Sequence, residues 1–151
     1  MEEIKIEQIQ NKYKNEFISS FSDGSYFDNE KEAEGHFKLY LKSKRLYLLF
    51  ENENLIGFFN YFYQYSHFAN YLEDISVNKN YQKKGYSKYL LSKYIEISKE
   101  QKTKNVIALS STHLTNKTSQ QMHKSFGFEE IGTLKKLHYG IDEIFYAYNL
   151  K

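Results

Sequence analysis

The chain has 151 residues, the size of one domain, and its 40 % hydrophobic and 26 % charged content fits a soluble globular protein, not a disordered or membrane one. Lys plus Arg numbers 21 against 19 Asp plus Glu, a formal charge of +2, too balanced for the concentrated basic surface that nucleic-acid binding needs. There is no cysteine, which excludes a disulfide framework, a thiolate nucleophile and a cysteine-based zinc site.

No apolar run approaches the roughly 20 residues of a membrane span. The start, Met1-Glu2-Glu3-Ile4-Lys5, is acidic and polar, unlike a signal peptide, so a cytoplasmic location is expected. The chain carries 15 Tyr and 12 Phe with no Trp and no Pro. Tyrosine buries a ring while keeping its hydroxyl wet, so these residues suit a cleft edge as well as a core.

With no repeat, linker or low-complexity block, residues 1–151 read as a single domain. Ile4 to Ile9 alternates like a short strand. Asp28-Asn29 offers a helix cap, Glu30 and Glu32 suit the first turn, and Ala33, Phe37, Tyr40 and Leu41 recur at helical spacing to about Ser43. Leu46 to Phe50 and Leu55 to Tyr65, joined by Glu51-Asn52-Glu53-Asn54, predict a hairpin. A further strand covers Tyr71 to Val77, and its acids Glu73 and Asp74 predict that one face meets solvent or a cleft. Tyr86, Leu90, Tyr94 and Ile97 define a helix to about Gln101. Val106 to Leu109 is a strand, continued by Ser110 to Thr112. Asn116 to Phe126 is a helix ended by Gly127. Phe128 to Leu137 and Ile144 to Leu150 are two last strands, separated by Gly140-Ile141-Asp142-Glu143. This order predicts an α/β (α+β) domain with a mixed sheet flanked by helices.

Chemistry concentrates between Val77 and Phe128. A strand, then Gln82-Lys83-Lys84-Gly85-Tyr86-Ser87, then a long helix is an arrangement that can hold a phosphate, because helix-start amides point outward and the macrodipole favours an anion. Gly85 lets the chain approach a ligand with no β-carbon in the way. An ordinary loop would look the same in isolation. This loop, however, resembles the acetyl-CoA signature of the GNAT superfamily: Gln or Arg, two residues, Gly, one residue, then Gly or Ala, with Ser87 departing at the last place. Val77-Asn78-Lys79-Asn80-Tyr81 resembles the family's lead-in without its common proline. Downstream, Asn116, Ser119, Met122, His123 and Phe126-Gly127-Phe128 resemble the second family element, with His123 standing where most members carry tyrosine.

The resemblance implies a mostly antiparallel mixed sheet whose central strands splay after Val106, and acetyl-CoA as cosubstrate. It implies that Gln82, Lys83, Lys84, Gly85, Tyr86 and Ser87 cradle the pyrophosphate. Ile75, Ser76 and Val77 would lie beside the pantetheine arm, with an amide near Ile75 polarising the thioester carbonyl. Asn116 would contact the coenzyme. An attacking amine must first lose a proton, and Glu73 is the candidate base, with Asp74 its competitor. The leaving thiolate needs a donor, a role open to His123 as imidazolium or to a tyrosine such as Tyr139. A packed or solvated histidine, and acids that merely pair with lysines, are the alternatives. The five histidines show no metal-ligand spacing, so no metal is expected.

The acceptor stays open. The segment Met122 to Phe128 is similar to some aminoglycoside 6′-N-acetyltransferases, whereas Phe58 to Val77 is similar to polyamine acetyltransferases. Both acceptors are polycations, which would meet Asp74, Tyr61, Tyr63 and Tyr65, and Asp23 or Asp28. Most of these tyrosines suit the core equally. A protein amine, or a non-catalytic acyl-CoA sensor, are other readings, and a homodimer is compatible with the aromatic surface.

Overall fold

A computed structural model of the chain describes the backbone of residues 2–5, and residues 11–24, 26–43, 45–66, 69–101 and 106–151 in full. In chain order the elements are β1 (Glu2–Lys5), α1 (Lys14–Phe21), α2 (Glu30–Ser43), β2 (Leu46–Glu51), β3 (Asn54–Ser66), β4 (Ala69–Val77), α3 (Tyr86–Glu100), β5 (Ile107–His113), α4 (Lys117–Phe126), β6 (Glu129–His138) and β7 (Ile141–Asn149). The strands hydrogen-bond in the order β1-β2-β3-β4-β5-β7-β6. The β1–β2, β2–β3, β5–β7 and β6–β7 pairs are antiparallel, and β4–β5 is parallel. The mixed, mostly antiparallel sheet with helices is the fold class expected from the sequence. Chain packing divides the described residues into two compact units, residues 1–61 with 74–90, and residues 62–73 with 91–151.

In the first unit, Phe17 and Phe21 of α1, Ala33, Phe37 and Tyr40 of α2, and Phe27 between them form one aromatic-rich core with Leu46, Leu48, Phe50, Leu55 and Phe58 of the hairpin. The Phe17 ring lies 4.9 Å from Phe58 and 5.0 Å from Phe37 in the tilted and edge-on arrangements aromatic quadrupoles favour. Helix α2 begins with a reciprocal cap. Asn29 Oδ1 accepts from Glu32 N at 2.9 Å, and Glu32 Oε2 accepts from Asp28 N at 2.9 Å. A β-carbon at Gly57 would sit 2.7 Å from the Ser76 carbonyl oxygen and 3.0 Å from Leu90 Cδ1, so only glycine lets β3 pass that close to β4 and α3.

In the second unit, β5 forms a seven-residue ladder with β7, from Ile107↔Asn149 to His113↔Glu143. Its parallel ladder with β4 covers only Ala69 to Tyr71 against Ile107 to Leu109. Both strands run on beyond that point, so the pairing stops where the splay was expected, a few residues after Val106. Strand β6 ends the sheet order, and all its side chains are exposed, including Ile131, Leu134 and Leu137.

Three differences from the sequence reading have local causes. The first strand already begins at Glu2, ahead of the expected Ile4, and the rest of the expected Ile4–Ile9 span lies outside the described residues. Helix α1 has eight residues, too few for a clear apolar stripe to show in sequence. Strand β7 begins at Ile141, because Tyr139 (φ 49°) and Gly140 (φ 88°) close a two-residue turn that lets His138 pair Ile141 at once.

Candidate active site

The loop between β4 and α3 belongs to the first unit. Asn78 anchors its start: its N–H donates to Ile56 O at 2.8 Å, and its side-chain oxygen accepts from Asn80 N at 3.1 Å. Gln82 Nε2 returns to Val77 O at 3.2 Å. Lys83 and Gly85 both take positive φ, 63° and 88°, which turns the chain sharply into α3 at Tyr86. Gln82 to Gly85 are exposed, and a β-carbon at Gly85 would meet nothing within 4 Å, so the loop presents open space. The amides of the first helical turn have no partner inside the helix. Tyr86 Oη donates to Glu51 Oε2 at 2.7 Å, which pushes the phenol up and fixes the helix start. Lys84 Nζ lies 5.4 Å over the Tyr81 ring. Backbone donors, a positive helix end and two lysines in one exposed turn are a fit for a phosphate group.

Ile75 and Ser76 are half-buried and Val77 is buried on β4. Asp74, half-buried, accepts from two hydroxyls at once, Tyr26 Oη on Oδ1 and Tyr40 Oη on Oδ2. His36 Nδ1 lies 3.4 Å from the Tyr40 hydroxyl, and its ring stacks on Phe27 at 4.8 Å. Asp23 pairs with Lys79.

The second unit holds Glu73, exposed, and His123, which is 1 % exposed. The His123 Nδ1 lies 2.7 Å from Ser119 O and its Nε2 2.7 Å from Ser110 Oγ. A carbonyl only accepts, so Nδ1 carries the proton and Nε2 accepts from Ser110. The ring stacks on Tyr146 at 4.7 Å and 13°. Burial holds the imidazole below its ordinary value, against the opposing pull of the Ser119 carbonyl. Asn116 caps α4, its Oδ1 accepting from Ser119 N at 3.0 Å, and the helix ends at Gly127 with φ 112°.

A second polar group in this unit runs across three strands. Ser111 Oγ donates to Glu143 Oε1 at 2.8 Å, and Tyr71 Oη lies 2.6 Å from Ser111 Oγ. Rings surround it: Tyr71 stacks with Phe145 at 6.1 Å and meets Tyr65 at 5.1 Å. Among the described residues, no group of three His, Asp or Glu side chains is placed to hold a metal ion.

Residues 6–128 match the Acetyltransferase (GNAT) family. The chain belongs to the GNAT acetyltransferase family. No curated protein matches it in sequence. Its fold is similar to that of an aminoglycoside 6′-N-acetyltransferase solved with coenzyme A, at TM-score 0.82 and 11 % identity over 100 % of this chain and 98 % of that one. It is also similar to a ribosomal-protein-alanine N-acetyltransferase from Brucella melitensis, at 0.78 and 20 % over 99 % and 100 %. A GNAT acetyltransferase from Elizabethkingia anophelis with acetyl-CoA bound gives 0.69 and 19 % over 77 % and 82 %.

In this GNAT acetyltransferase Gln82 to Gly85 form one exposed turn and the half-buried Tyr86 and Ser87 open α3 directly after it, with Ile75, Ser76 and Val77 on the strand feeding the turn. Tyr65 departs from the face that strand alternation would give it. Alternation alone would align Tyr61, Tyr63 and Tyr65, but Gln64 takes φ 48° and donates its N–H to Asn70 Oδ1. Tyr65 therefore packs at 5.9 Å from Phe62 and beside Tyr71, while Tyr61 lies 6.2 Å from Phe59. His123 is packed with both nitrogens engaged, an arrangement that suits a neutral core residue better than an exposed acid. Tyr26, Tyr40, Ser111 and Glu143 carried no motif, and only the fold brings them to their partners.

Proposed function

We propose that the chain, acting over residues 1–151 as one acetyltransferase domain, transfers the acetyl group of acetyl-CoA to a primary amine of a small polycationic molecule. The observation that carries this reading is the exposed turn Gln82 to Gly85, with positive φ at Lys83 and Gly85, leading into α3 in a member of the GNAT family. The amides of Gln82 to Ser87 hold the pyrophosphate, Ile75 to Val77 border the pantetheine arm, and the Asn116 side-chain N–H, its oxygen being committed to the cap, contacts the coenzyme. Acetyl-CoA supplies a thioester already activated for transfer. The Ile75 N–H polarises the thioester carbonyl. Glu73, exposed on β4, takes the proton of the attacking amine through water. His123 serves packing, and a tyrosine hydroxyl is left to protonate the departing thiolate.

A polycation as acceptor is supported by the carboxylate of Asp74, held in place by Tyr26 and Tyr40, and by the aromatic density of β3 and β4. The aminoglycoside enzyme among the fold neighbours agrees with this reading; the ribosomal-protein-alanine enzyme favours a protein amine as the second. Location in the cytoplasm fits the substrate. Among the described residues no helix is long and apolar enough to cross a membrane. A second copy of the chain is the proposed partner along β6, whose acidic start, Glu129-Glu130, and basic end, Lys135-Lys136, would face each other in an antiparallel pair.

The test is release of free thiol from acetyl-CoA with spermidine, kanamycin and a peptide with an N-terminal alanine. The chain has no cysteine, so the protein adds no background to a thiol reagent. Release only with the small polycations supports the reading. Release only with the peptide moves the acceptor to protein, and acetyl-CoA binding without release under any amine supports the sensor.

A further inference from the structure

Glu143 stands near the start of β7, opposite His113 of β5 and Leu134 of β6. It is 8 % exposed. One oxygen, Oε1, accepts from Ser111, which in turn accepts from Tyr71, since the serine proton is already given to the carboxylate. The other, Oε2, is buried and has no hydrogen-bond partner among the described residues. His138 Nδ1 lies 3.4 Å from it, on a side chain that is 44 % exposed.

A buried carboxylate oxygen that makes no hydrogen bond, with only a half-exposed histidine at ion-pair distance, is poorly compensated, and such groups in native chains call for a ligand, water or ion that completes them. The missing group is a donor, and a cationic one matches the carboxylate. Beside it the stacked rings of Tyr71 and Phe145 form a wall suited to the methylenes and charge of an alkylammonium. His138 stands at the strand end next to the turn, its ring 4.8 Å from that of His113.

We propose that Glu143 binds an ammonium group of the acceptor that stays charged through the reaction, an inference that rests on the polycation reading above. A carboxylate favours the protonated form of a bound amine, which would suppress attack by that nitrogen. The site therefore selects a distal ammonium, and its contribution is to acceptor affinity.

The experiment compares Glu143→Gln with the unmodified enzyme, using spermidine and the singly charged butylamine. The substitution keeps the shape and the Ser111 hydrogen bond, and thermal melting checks that the fold is intact. Losing one charge-assisted contact should raise KM for spermidine about 10- to 100-fold, with kcat and the KM for butylamine changing by less than about threefold. Glu143→Asp, which keeps the charge but withdraws it, should fall between. Equal effects on both amines, or none on spermidine, overturn the inference. If the unmodified protein releases no thiol with any amine, the enzymatic reading fails separately, and calorimetry with spermidine decides the site. Weaker binding by about tenfold or more in Glu143→Gln upholds it; equal binding, or none to the unmodified protein, overturns it.

Discussion

His123 shows how far one residue can move from its motif. Its place in the family pattern suggested an imidazolium acid, yet it stacks on Tyr146 with both nitrogens engaged, and burial holds it below its ordinary value. A histidine whose folded value is depressed contributes stability above the unfolded value of about 6.5, and that stability is lost as pH falls toward the folded value. Urea melts from pH 7 to about pH 5 should therefore show stability falling, and His123→Phe, which keeps a ring on Tyr146, should flatten that fall. An equal slope in both proteins would remove the linkage from His123. Asp74 offers a second residue-scale test. Tyr26→Phe or Tyr40→Phe takes one donor from its carboxylate, costing about 1 kcal/mol of stability, and should raise acceptor KM while leaving the KM for acetyl-CoA unchanged. Neither tyrosine was legible in sequence, because they lie 48 and 34 residues from Asp74 and no local pattern links them. The sequence puts Glu143 in a four-residue separation between the last two strands, because the turn's tightness, two residues instead of four, shows only in backbone angles.

At the scale of elements the sequence was more informative. Helices α2 and α3 carry apolar residues every three or four positions, α4 is bracketed by Asn116 and Gly127, and all three matched their expected spans within a residue or so, as did the hairpin of β2 and β3. Local signals also placed the ends: Asn29 with Glu32, Asn116 with Ser119, and Gly127 all act as caps. Asn116→Ala should cost about 1 kcal/mol, seen as a melting point a few degrees lower. The turn before α3 was equally legible as a turn, because its glycine takes a positive φ. Gly85→Ala places a β-carbon at φ 88°, a strain of roughly 1–2 kcal/mol. Its KM for acetyl-CoA should rise by about tenfold while that for the amine stays put, and a reversed pattern would move coenzyme binding away from this turn. What the periodicities did not convey was which strands become neighbours, and so the polar chain from Tyr71 through Ser111 to Glu143 was invisible until β4, β5 and β7 were paired.

For the whole molecule, β6 ends the sheet order with every side chain in water. If its acidic and basic ends bring two copies together, sedimentation should show a dimer that weakens between low and about 0.5 M salt, because exposed pairs are screened. Reversing Lys135 and Lys136 to Glu should give a monomer at any salt; a dimer indifferent to both changes would place the contact elsewhere. The turn after β6 has a different use. Tyr139 is 92 % exposed and stands next to His138, the neighbour of Glu143. In a chain without cysteine, Tyr139→Cys would create a single thiol at that spot, so one fluorophore could be attached there without touching any other residue. Its emission would then track the arrival of a cation beside Glu143 in real time, before any acetyl group has moved.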